Sequence, residues 1–92
     1  MSVDDESVGP LIRRRRQELA LSQAGLARRL FAESGRPIGR KRVSDWEHER
    51  VSVGPSWLPF LSRVLQVPVS VLAGAVAVAR YRNRPGDEQH AR

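Results

Sequence analysis

Apolar residues recur every three or four positions through most of the chain, a spacing that predicts helices. Leu11, Ile12 and Leu19 form the first stripe, and Gly9-Pro10 ahead of them suits a helix start with proline at the first helical position. Ser22 is a good N-cap for a second helix in which Leu26, Ala27, Leu30 and Phe31 share the inward face; Gly35 and Pro37 mark its end. A third helix fits residues 40–48, with Val43 and Trp46 inward and the charges outward. Ser56 can cap a fourth, where Pro59 falls in the tolerant first turn and Phe60, Leu61, Val64 and Leu65 make the buried face. Pro68 then precedes a fifth, over roughly residues 69–82. Five short helices with few strand signals predict an all-α fold.

The ends read differently. The first eight residues, MSVDDESV, are too polar to pack, so residues 1–8 are expected to form a disordered arm. Residues 83–92, NRPGDEQHAR, combine Pro85 and Gly86 with mixed charges and read as a disordered tail, which leaves 9–82 as one domain. A chain of 92 residues has room for one small core and no separate sensing module. The acidic start resembles neither a signal nor a transit peptide. The longest apolar run, VPVSVLAGAVAVA, contains Pro68 and falls short of the roughly 20 residues a bilayer requires. The expectation is a soluble cytoplasmic protein without membrane attachment.

Charge narrows the partner. The net charge is +6, and residues 11–50 alone carry it, with eleven Arg or Lys against five Asp or Glu. The sequence pI near 11.4 points to a polyanion. The stretch IGRKRVSDWEHER, residues 38–50, starts cationic with Arg40, Lys41 and Arg42 and ends anionic with Glu47 and Glu49. RRRR at 13–16 is less telling, because a helix splays the four side chains in all directions and most of them only solvate it. Trp46 and Trp57 stand beside apolar residues at helical spacing and read as core rather than stacking platforms. The absence of cysteine excludes disulfides, thiolate metal sites and cysteine nucleophiles. His48 and His90 stand alone, and no paired carboxylates or phosphate loop accompany them, so no cofactor, metal or enzymatic activity is expected.

The order LSQAGLARRL, IGRKRVSDWE, VGPSWLPFLSRVLQVPVSVL supplies what a helix-turn-helix needs. Small Ala27 sits midway along the second helix where the third crosses, and Val43 with Trp46 pins the third helix while leaving its other face bare. The pattern resembles the Cro-like, XRE-type helix-turn-helix family, the lambda-repressor-like domains, over about residues 10–73. The sequence departs from that family in two places. FAESGRP separates Leu30 from Ile38, which implies an extended second helix or an enlarged loop, and Gly39 stands where the family often has Ser or Thr.

The resemblance implies a sequence-specific double-stranded DNA-binding transcriptional regulator that inserts its third helix into the major groove. By position it implies base reading by Arg40, Lys41 and Arg42 with Ser44 and Asp45 one turn on, phosphate contacts from Gln23 and Arg50, and a structural ion pair between Arg16 and Glu47. Arginine suits base reading because its planar fork donates two bonds to guanine. A second apolar stripe, Val71, Ala75 and Val78, makes residues 69–82 a candidate homodimer surface. The rival expectation is an antitoxin or adaptor that uses the same fold mainly to hold a protein partner.

Overall fold

The structure, a computed structural model, describes residues 6–83. It is all-α: α1 (Val8–Glu18), α2 (Gln23–Ser34), α3 (Arg40–Glu47), a 3-10 turn (Pro55–Trp57), α4 (Leu58–Leu65) and α5 (Val69–Arg82), with no strand among the described residues.

Serine and glycine set the ends of α2. The Ser22 hydroxyl accepts the Gly25 N–H at 2.9 Å, and Gly35 closes the helix in the left-handed region at φ 71°. Leu26, Ala27 and Leu30 face inward. Phe31, expected among them, is 52% exposed: it stands about 100° round from Leu30 and about 40° beyond Ala27, past the edge of the buried face. The departure in FAESGRP resolves into both alternatives: α2 runs 12 residues, and a linker of residues 35–39 follows it.

At the start of α1 the expected boundary moves. Ser7 and Val8 are buried, Ser7 takes the N-cap position and Val8 opens the helix, so the polar arm does not extend to residue 8. Pro10 is the third helical residue, still within the first turn, where a missing N–H costs nothing. Residues 1–5 and the expected tail beyond Asn83 lie outside the described residues. Ser56 also shifts role: it lies inside the 3-10 turn, and Trp57 stands at the N-cap of α4. Pro59 remains in the first turn of α4, while Leu58 joins Leu61, Val64 and Leu65 on its buried face and Phe60 is only half-buried.

The core centres on Ile12, Leu26, Leu30, Val43, Trp46 and Leu61. The Trp46 and Trp57 rings meet edge to face, 5.5 Å between centroids, so α3 packs against the turn that begins α4. On α5, Leu72, Ala75 and Ala79 turn inward; Ala75, expected on the second stripe with Val71 and Val78, belongs to the core, whereas Val69 and Val71 are exposed. No helix among the described residues is long and apolar enough to cross a membrane.

Candidate nucleic-acid interface

Three of the eight residues of α3 are buried: Val43, Trp46 and Glu47. The structure brings Arg16 and Glu47 together at 2.6 Å, from Nε to Oε2, with a second bond from Nη2 to Oε1 at 3.1 Å. Their side chains are 11% and 2% exposed. The remaining guanidinium nitrogen, Nη1, donates to the Leu21 carbonyl at 2.9 Å, and the Gln23 amide donates to Glu47 Oε1 at 3.1 Å. α1, the entry to α2 and the end of α3 are thereby joined through one carboxylate. A bidentate fork suits this because it fixes angle as well as distance.

The linker ahead of α3 is also held. Arg36 lies over the Trp57 ring at 4.2 Å and donates to the Ser56 hydroxyl at 2.9 Å. Ile38 packs against the core from the position before the N-cap, Gly39, and Val43 sits at the spacing of a hydrophobic staple with it.

Behind α3 the chain turns through Glu49, in the left-handed region at φ 58°. Its carboxylate accepts the Gly9 N–H at 2.9 Å and the Asn83 amide at 3.0 Å, so it caps the first turn of α1 from across the molecule. Burial raises its pKa, but hydrogen bonds from Ser7, Gly9 and Asn83 and the charge of Arg82 outweigh that and bring it below the ordinary value. The sequence reading missed this role. Gly9 is the legible trace of it, because a Cβ there would collide with the Glu47 carbonyl oxygen and come within 2.7 Å of the Glu49 side chain.

The outer face of α3 carries the charge. At about 100° per residue, Lys41 and Asp45 lie roughly 160° to either side of Val43 and are outermost, Ser44 and Arg42 flank them at about 100°, and Arg40, in the first turn, stands only about 60° from Val43. Arg40, Lys41, Arg42 and Arg50 are all exposed, and Ser44 and Asp45 are half-buried. Lys41 Nζ sits 3.0 Å from Asp45 Oδ2, and Arg50 Nη1 sits 3.3 Å from Asp45 Oδ1. The hydrogen bond from Lys41, followed by that from Arg50, holds the Asp45 carboxyl below its ordinary pKa. Together with Arg40 and Ser44 these residues line one shallow, open depression.

Two of the expected site residues already hold partners within the protein. Gln23, expected on a phosphate, donates one amide N–H to Glu47 and so also takes part in anchoring α3. Asp45, expected among the base readers, has a cation on each of its oxygens. Among the described residues no group of three His, Cys, Asp or Glu side chains is placed to hold a metal ion.

Comparison with known protein families, curated proteins and solved structures finds no match to this chain.

Proposed function

We propose that the chain is a sequence-specific double-stranded DNA-binding transcriptional regulator of the Cro-like, XRE type, with α2 and α3 as its helix-turn-helix and α3 entering the major groove. The observation that carries this reading is the division of α3. Its inner face is bolted to the core by Val43, Trp46 and the Arg16–Glu47–Gln23 network, while Arg40, Lys41 and Arg42 stand in the open. A helix presented rigidly, with donor-rich side chains on its free face, suits guanine O6 and N7 in the groove. Arg50, just beyond the helix, suits a backbone phosphate. In a cell such a protein works at the nucleoid, in the cytoplasm, and needs no cofactor for this role.

One observation favours a second reading. Residues 69–79 of α5 carry no charge, yet Val69 and Val71 are exposed. An antitoxin or adaptor would cover that face with another protein, whereas the regulator covers it with a second copy of itself.

Selection of the full chain on random duplex DNA tests the first reading. The expected outcome is an enriched site, with Arg40→Ala costing about 1–3 kcal/mol on it and relaxing one base position. Arg50→Ala should weaken enriched and random duplexes about equally and lower the salt slope by about one unit. A pool that emerges unenriched would move the protein-partner reading into first place.

A further inference from the structure

We infer that Lys41 and Asp45 act as one reading unit for a single G·C base pair, with Asp45 restraining Lys41 and Arg50 until that pair is met. The inference rests on the DNA-binding reading above and deepens it.

The first support is position. Lys41 and Asp45 are the two outermost residues of α3 and are bonded to each other at 3.0 Å, one helical turn apart. The second is chemistry. Arg40, Lys41 and Arg42 can only donate hydrogen bonds, so the acidic acceptor among the expected base readers is Asp45. In the major groove guanine offers two acceptors, O6 and N7, and its partner cytosine offers an amine donor at N4. An ammonium and a carboxylate side by side on α3 are complementary to that pattern. An A·T pair sets one acceptor on each side of its donor, adenine N7 and thymine O4, so the ammonium meets one acceptor there rather than two and the match is weaker.

The third support is the burden that a bare carboxylate would carry near phosphates. Asp45, with its side chain only 15% exposed, is bracketed by Lys41 on one oxygen and Arg50 on the other. On random DNA the two cations stay partly committed to Asp45, and their attraction to phosphate is reduced. At the matching pair the cytosine amine takes over one carboxylate oxygen, and Lys41 is released to guanine. Arg50 then turns to the adjacent backbone. The device lowers affinity for wrong sequences more than for the right one, which is how specificity is gained by repulsion as well as attraction.

The test is site selection with the full chain, its Asp45→Asn and Lys41→Gln variants, and the double variant. The native chain is expected to enrich a site with a G·C pair where both single variants lose preference, a discrimination of roughly five- to a hundredfold. Asp45→Asn should bind random duplex more tightly, by about three- to tenfold, because Lys41 and Arg50 are freed for phosphate. The double variant should lose no more discrimination than either single one, the mark of a coupled pair. Losses at two different base pairs, additive losses, or an unchanged Asp45→Asn profile would each overturn the unit while leaving base reading by α3 intact. A native chain that enriches no sequence would overturn both. Lys41 is 88% exposed, so Lys41→Gln carries the test even where Asp45→Asn melts early.

Discussion

The Glu47 carboxylate is the single group through which three helices are tied, and its energetic role follows from how little water reaches it. Arg16 and Gln23 supply three hydrogen bonds to its two oxygens, and among the described residues no buried side-chain nitrogen or oxygen is left without a partner. Glu47→Gln would keep the shape but leave the Arg16 guanidinium in the interior without a counter-charge, at a cost of about 3 kcal/mol. For a domain of this size that is a fall in melting temperature of more than about 10 °C. A thermal melt within about two degrees of the parent would show that the pair contributes little. Glu49 acts on a smaller scale, as an anion at the N-terminus of α1. Its pKa is lowered on folding, so its contribution is fully present above its ordinary value of 4.5 and is lost as pH falls through the lower folded value. Glu49→Gln should therefore cost about 1 kcal/mol near neutral pH. The melting curves of parent and variant should converge at acidic pH; a gap that stays constant down to pH 3 would assign the loss to shape rather than charge.

Between elements, the controlling feature is the close approach of the first turn of α1 to the end of α3. Gly9 permits it, since any side chain there meets the Glu47 carbonyl and Glu49. Alanine is the better helix former by about 1 kcal/mol, yet Gly9→Ala should destabilise, by about 1–3 kcal/mol, because backbone must move to admit the methyl group. A stabilised Gly9→Ala variant would show that α1 has room to shift. This junction also shows what could be read from the chain. The helices were legible because their signals are local: Ser22 three residues before Gly25, Gly35 at a left-handed end, and buried Leu26 and Leu30 one turn apart. Glu49 was not legible as the cap of α1, because it and Gly9 are 40 positions apart and no periodicity links them. The Gln23–Glu47 bond was hidden for the same reason: the two residues are 24 positions apart, and only the fold brings them together. Phe31 and Ala75 failed differently: apolar spacing does not say how wide the buried face of a helix is or which way it turns, and Phe31 falls past the edge of one buried face while Ala75 falls inside another.

For the molecule as a whole, the open question is what covers α5. Through residue 79 it is apolar or small on all sides, which is the composition of a buried helix, yet Val71 is 49% exposed and sits with Gly74 and Ala75 beside Leu11 and Arg14 in a groove between α1 and α5. Small residues at Ala73, Gly74 and Ala77 would let a second helix come close, and the helix a symmetric partner brings is another copy of α5. Dimerisation also serves the proposed function. One α3 spans only a few base pairs, whereas two related by a twofold axis read half-sites about 34 Å apart, one turn of DNA. The full chain is therefore expected to sediment as a dimer at high micromolar concentration and to enrich a twofold-symmetric site. Val71→Glu should leave the fold intact, because the side chain it replaces is half in water, but place two like charges at the axis. The expected result is a 10.3 kDa monomer with undiminished affinity for random duplex and an affinity for the symmetric site weaker by about a hundredfold or more, since the second half-site contact is no longer intramolecular. If the native chain already sediments only as the monomer, with and without its site, α5 does not join two copies, and its bare face belongs to a different protein partner.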